Sequence, residues 1–365
     1  MPTGAFSFWG NTKEMKRTFT HCLAIFSVLI VLISSSIAFG QAKINMDDMR
    51  WVSIGGGLRT AFRSTEVGLT GDYAKDFTLE NIRLYVNAQL HKDFQVEFNT
   101  EYDGSGDIMV LDAVVKYSPR PYFNIWMGRH LVPSDRANLD GPFFLNAYDY
   151  PGLVSRYPGI FAGRDNGVSV NGDIKGGKFK YAFGMYEGVG SVTTSDPLLY
   201  AGRAVVNFLD PEPGYYNSST YYGEKNILAI GAAFQHQSDA VLVAGNPESF
   251  TGYNFDLLFE KKAGDKGAFS LEGAWYNYDY EGGFGDGSGY FAEGAFLFGG
   301  EVGIGRLQPF VRYQDFQESS ILDTGVNYII RGHSARVSAF WGLFDSGIPG
   351  QDKSNQFTVG TQFQF

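Results

Sequence analysis

The chain has 365 residues, with 29 Lys and Arg against 39 Asp and Glu, a net charge of −10 at pH 7, 16% aromatic residues, 47 glycines and one cysteine. An acidic chain is poorly matched to the anionic backbone of nucleic acid, and a single cysteine excludes an intrachain disulfide. Beyond residue 40 no apolar run approaches the roughly 20 residues that a membrane-crossing helix needs, so aromatics and glycines in this abundance point to strands and turns.

At the front, Lys13, Lys16 and Arg17 precede an apolar run over 22–33, and small residues follow up to Gly40. A positive head, a short apolar core and a small-residue exit predict a secretory leader over 1–40, cleaved before Gln41 and taking Cys22 with it. Ser34, Ser35 and Ser36 interrupt the run too early for a spanning helix.

From there on, segments of strand length alternate polar and apolar residues. Ile82, Leu84, Val86, Ala88 and Leu90 share one face, with Asn81, Arg83, Tyr85, Asn87 and Gln89 on the other. After a tight turn at His91-Lys92-Asp93, Phe94, Val96 and Phe98 oppose Gln95, Glu97 and Asn99. The same two-residue period carries Met109, Leu111, Ala113, Val115 and Tyr117, then Phe179, Tyr181, Phe183 and Met185, then Tyr253, Phe255, Leu257 and Phe259. Successive side chains of a strand point to opposite faces, so each segment has one greasy and one wet side.

No amphipathic helical segment is available to cover those greasy faces, which leaves lipid as their solvent and a closed sheet as the structure. The expected fold is all-β: a transmembrane antiparallel barrel of about 16 strands over 41–365, each strand needing about 9–11 residues to cross. Short periplasmic turns are expected at His91-Lys92-Asp93, Pro119-Arg120-Pro121 and Gly176-Gly177, and longer outer loops at 63–75, 188–197, 238–250 and 344–354. The span 210–225 is long for a periplasmic turn, and part of it is expected to extend a strand.

The longest connection runs over 133–166. Its apolar residues, among them Phe143, Phe144, Leu145, Tyr148 and Tyr150, need a surface to fold against, and four prolines stiffen it. It is therefore expected to tuck into the barrel as a constriction loop, placing Asp135, Arg136, Asp140, Arg164 and Asp165 at or near the narrowest point. On the strands, Arg83, Arg306, Arg312, Arg331 and Arg336 fall on the polar parity, because an arginine facing lipid at mid-depth costs about 2–4 kcal/mol. A basic stripe opposed by carboxylates would set up a transverse field that tunes ion preference. The chain ends on Phe357, Val359, Thr361, Phe363 and Phe365 in strict alternation, and Phe363 with the terminal Phe365 reads as a signal to the barrel-assembly machinery.

Signs of chemistry are thin. His91, His130, His236 and His333 show no metal-ligand spacing such as HExxH, and no GxSxG elbow is present. The run Asp103-Gly104-Ser105-Gly106-Asp107 lacks the closing glutamate of a calcium loop. No catalytic residue, cofactor or metal site is expected.

The run Gly128-Arg129-His130-Leu131-Val132-Pro133-Ser134-Asp135-Arg136, continuing through Asn138-Leu139-Asp140-Gly141-Pro142 to Tyr157-Pro158 and Gly163-Arg164-Asp165-Asn166-Gly167-Val168, resembles the phosphate-selective porin O/P family of bacterial outer-membrane porins. The resemblance implies a sixteen-stranded homotrimeric channel in outer-membrane lipid, with inward arginines and a lysine array passing phosphate. Of the strand lysines only Lys116, Lys178 and Lys180 fall on the wet parity. The expected function is a passive water-filled channel for small hydrophilic solutes or ions, with anion or phosphate preference as the finer expectation. The alternatives are an outer-membrane barrel enzyme of lipase or protease type and a closed structural or adhesive barrel.

Overall fold

The computed structural model describes residues 41–365 apart from 68–70, 103, 105, 157–159, 190–196, 284 and 352. The leader expected over 1–40 lies outside the described residues. Seventeen strands form a single sheet: β1 Ala42–Asn45, β2 Trp51–Val67, β3 Asp72–His91, β4 Phe94–Tyr102, β5 Ile108–Arg120, β6 Phe123–Leu131, β7 Arg164–Ile174, β8 Phe179–Tyr186, β9 Leu199–Asn207, β10 Ile227–Val243, β11 Asn246–Lys262, β12 Gly267–Asp279, β13 Gly287–Phe298, β14 Arg306–Phe316, β15 Ser319–Arg331, β16 Ala335–Asp345 and β17 Ser354–Gln364. Each pairs antiparallel with its neighbours in sequence, and β17 closes on β2 with Gln356 opposite Thr65 and Gln364 opposite Gly57. Sixteen strands, β2 to β17, therefore make a closed barrel. The short β1 lies on β2 beyond the end of β17, Ala42 opposite Ile54, so the two share one edge end to end.

Closure is what the side chains require. On β12, Phe269, Leu271 and Trp275 are about two-fifths exposed on the outside, while Ser270, Glu272 and Tyr276 between them are buried in the interior. Arg136, Arg312 and Arg336 are among the largest fully buried side chains, and more than forty large hydrophobic side chains sit on the surface. This is the reverse of a water-soluble protein. In hydrocarbon every backbone N–H and C=O must find its partner within the sheet, and closing β17 on β2 removes the last open edge.

The end that carries Phe365 is periplasmic in barrels of this kind. Gly56 and Phe365 exchange backbone hydrogen bonds there at 3.0 and 2.9 Å. Turns at that end are short, except for 208–226. At the outer end, two of the loops expected from sequence are strand instead. β2 and β3 run to Val67 and from Asp72, and β10 and β11 are joined by Ala244 and Gly245 alone. Both of those residues have positive φ, 51° and 88°, as a two-residue hairpin of matching twist demands. The connection after β16, 346–353, is a loop as expected. One facing differs: Leu111, expected on the lipid side, is fully buried, because a register shift between Asp112 and Val110 resets the alternation there.

Candidate functional site

The interior is filled by two segments. From the outer end, the connection 132–163 between β6 and β7 enters the lumen and carries a short helix, α1 (Arg136–Asp140). Asp135 caps it, accepting from Asn138 N at 3.2 Å, and Gly141 ends it with φ 64°. Asp135 also accepts from Ser155 Oγ at 2.7 Å and from Tyr276 Oη of β12 at 2.9 Å. Burial pushes its carboxyl up to about 6 against those donors.

Beyond α1 the chain is clasped by barrel side chains. Arg336 donates to the carbonyls of Leu145 and Asn146 at 2.6 and 3.0 Å, and Arg312 to that of Asp149 at 2.6 Å. Arg63 holds the Asp149 carboxylate through both terminal nitrogens, at 2.9 and 2.7 Å. Asn327 donates to Asn146 O and Gln308 to Asn146 Oδ1. Tyr148 lies against the same wall, where β17 closes on β2, and donates to Thr60 O at 2.9 Å, over Gly360, where a Cβ would run into its ring.

The second segment was not legible as such. Part of 210–225 was expected to extend a strand, but the whole connection 208–226 has none; it turns up into the lumen from the periplasmic end and meets the first segment. Glu212 takes the Arg136 guanidinium through both oxygens, with side chains 1% exposed on either side. Ser218 O accepts a further bond from Arg136 at 2.9 Å, and Ser219 Oγ donates to Asp140 at 2.9 Å. Asn217 N donates to Leu139 O, Ser219 N to Phe144 O, and Asn146 to Ser219 O. Glu260 of β11 receives Thr220 Oγ1 and the backbone N–H groups of Tyr221 and Gly223. His333, in the turn between β15 and β16, lies 3.0 Å from Ser218 Oγ and 2.9 Å from Thr220 O and packs on Phe144. The signal that could have found it is its length with its polarity: Asn217-Ser218-Ser219-Thr220 is a run of four polar residues, all buried in the structure, in a span far longer than any other turn at that end.

The charged residues expected at the constriction divide into groups. Asp135, Arg136 and Asp140 lie on or beside α1, inside the barrel. Burial pushes Asp140 up to about 8, despite the neighbouring Arg136. Arg164 pairs with Asp112 at 3.4 Å and Arg83 with Glu101 at 2.5 Å on the adjacent wall. Asp165 turns to the outer connection and accepts from Gly188 N. Arg312 and Arg336 are internal, and Arg312 also binds Asp323 at 2.9 Å. Arg306 is half-buried at the foot of β14, and Arg331 is exposed at the β15 terminus. Phe363 is half-buried in β17, and the terminal Phe365 is half exposed.

Two cavities flank α1. The outer one, about 1070 Å³, is lined by Arg59, Arg63, Arg83, Arg156 and Arg164 together with Asp76, Glu80, Glu101 and Asp149. The periplasmic one, about 240 Å³, is lined by strands β4 to β9 and by Gly214 and Tyr215. Asn138 faces the first and its neighbour Leu139 the second, so the helix is the partition. His130 lies 2.9 Å from Ser169 Oγ, but Tyr186 shares the same ring nitrogen at 3.0 Å, all three are buried, and none lines either cavity.

No protein-family model matches the chain, and no curated protein aligns with it significantly. Solved structures do. The anion-selective porin from Comamonas acidovorans superposes with a TM-score of 0.60 at 15% identity, over 87% of this chain and 100% of that one. A high-pH structure of OprB from Pseudomonas putida gives 0.64 at 10%, over 86% and 94%. The trimer form of OmpT, an outer-membrane protein of Vibrio cholerae, gives 0.56 at 15%, over 87% and 100%. At these identities the likeness establishes the fold: an outer-membrane β-barrel of the porin type.

Proposed function

We propose that the protein is an outer-membrane porin, a passive channel for small hydrophilic solutes. The observation that carries this is the inverted barrel: apolar residues outside, and inside a polar interior with two cavities separated by a five-residue helix. Arginines at the outer cavity and at the clasp of the inserted loop favour anions over cations. The motif shared with the phosphate-selective porin O/P family supports a phosphate preference as the finer reading. The trimer form of one structural neighbour and the family resemblance support a homotrimer, exported by a cleaved leader and inserted by the barrel-assembly machinery at the signal of Phe363 and Phe365.

The two inserted segments favour a second reading, a closed barrel with a structural role. Reconstitution of the purified, folded protein in planar bilayers separates the two. Stepwise conductance with an anion-selective reversal potential supports the channel, and silence supports the closed barrel. A barrel enzyme would require an accessible acid–base or nucleophilic set, and the buried His130 and Ser169 do not supply one.

A further inference from the structure

We propose that the periplasmic cavity is a binding subsite for small organic carboxylates with an apolar body. The argument begins at Lys180 of β8, which lines the cavity and is only 6% exposed. Its ammonium donates to a neutral amide oxygen, Asn217 Oδ1, at 2.8 Å, and forms no ion pair among the described residues. An ammonium has three protons to donate, and the carboxylates that act on this one, Glu212 and Asp173, do so from beyond ion-pair distance, which leaves room for a closer negative charge to offset its burial.

Two neighbours share its surplus. Asn171 Nδ2 and Arg203 Nε, on buried residues of the same lining, have no acceptor. The lining contains one carboxylate, Asp173, and that already accepts from Gly214 N at 2.6 Å. The cavity is thus rich in donors and poor in acceptors, and its occupant must bring the negative charge. Lys116 does not compete for it, because Glu97 pairs with its ammonium and the Trp126 ring lies 3.8 Å away.

The remaining wall sets the rest of the solute. Pro133, Leu139, Val205 and the rings of Trp126 and Tyr215 give it an apolar side. A phosphate ion would shed water against that side without compensation, whereas a carboxylate on a hydrocarbon body satisfies both halves. The volume, about 240 Å³, lies just below the roughly 300–1,000 Å³ of drug-sized pockets, which suits a benzoate-sized solute. The inference deepens the channel reading and rests on it only for the route by which a solute arrives.

Binding is tested apart from conduction, by calorimetric titration of the mature protein folded in detergent at pH 7. Sodium benzoate is expected to bind saturably at one site per chain, and inorganic phosphate not to displace it. Lys180→Gln should weaken benzoate at least about tenfold, the loss of a charge-assisted hydrogen bond, and Lys180→Arg should restore it. As a check that does not depend on the lysine variants folding, benzoate should perturb tryptophan fluorescence in the native protein and fail to do so in Trp126→Phe. Absence of saturable benzoate binding, equal affinity in a folded Lys180→Gln, displacement of bound benzoate by equimolar phosphate, or a fluorescence response that survives Trp126→Phe overturns the subsite. Conductance in plain potassium chloride judges the channel separately, so a conducting barrel that ignores benzoate sinks the subsite alone.

Discussion

Replacing Glu212 by glutamine attacks the join between the two segments inside the barrel. Glu212 and Arg136 are each 1% exposed at the side chain, and Glu212 also accepts from Tyr221 Oη at 2.6 Å. Removing one charge of a buried pair leaves the other uncompensated, at a cost of about 3–5 kcal/mol. Both residues sit on inserted segments rather than on wall strands, so the penalty falls on docking of 208–226 and not on barrel closure. At 1.4 kcal/mol per factor of ten, the undocked population rises roughly 140- to 4,000-fold. The backbone bonds of Asn217 and Ser219 to Leu139 and Phe144 remain, so the expected result is more frequent excursions to larger conductance rather than a permanently open pore. Single-channel recording reads those excursions, with heat-modifiable mobility on gels confirming a folded barrel. The double variant Arg136→Met with Glu212→Met removes both charges and should return toward native behaviour, because an apolar replacement of a buried pair is often neutral. A folded Glu212→Gln protein with native open levels and lifetimes would refute the claim that this pair holds the segment in place.

Arg312→Ala removes a guanidinium bonded to both Asp323 and the Asp149 carbonyl, and should move the anion-to-cation permeability ratio toward cations in reversal-potential measurements. Arg331→Ala, at an exposed strand end, should shift it less, and equal shifts would remove Arg312 from selectivity. Burial holds His333 down at about 4 from the usual 6.5, so its contribution to docking is complete above pH 6.5 and is lost as pH falls through 4. Conductance excursions should accordingly grow on acidification across that window, and His333→Gln should flatten the dependence. Asp140, pushed up to about 8, is largely uncharged at pH 7. Asp140→Asn should therefore cost no more than about 1 kcal/mol in thermal unfolding, roughly one neutral hydrogen bond, whereas a loss of about 3–5 kcal/mol, that of a buried charge partner, would show that it is ionised.

Which side of each strand meets lipid was decided by local order. The period of two is a property of the strand itself, so Phe94 and Phe98 could be assigned to one face and Asn99 to the other before any partner strand was known, and the first two are exposed and the last buried. The inward loop was readable for a related reason: Phe143, Leu145 and Tyr148 lie in a single connection too long and too apolar to remain in water. What escaped were relations between distant positions. Arg312 and Arg336 were placed on the wet face, but that they would grip the carbonyls of Asp149 and Asn146, 163 and 190 residues away, follows only from closure of the barrel. Leu111 shows the limit on a smaller scale, since a register shift inverts parity without changing composition.

The span 208–226 marks the boundary most clearly. Its polar run 217–220 marks the span as wet without saying what it meets, and its partners come from three other parts of the chain: Arg136 and Asn146 from the inserted loop, Glu260 from β11 and His333 from the turn between β15 and β16. Alternating hydrophobicity alone determined that this chain makes a barrel with oil outside and water-loving groups within. How that interior is filled was left to tertiary structure, because hydrogen bonds and ion pairs formed across an enclosed space depend on which walls face each other, and a linear order of residues does not contain that distance.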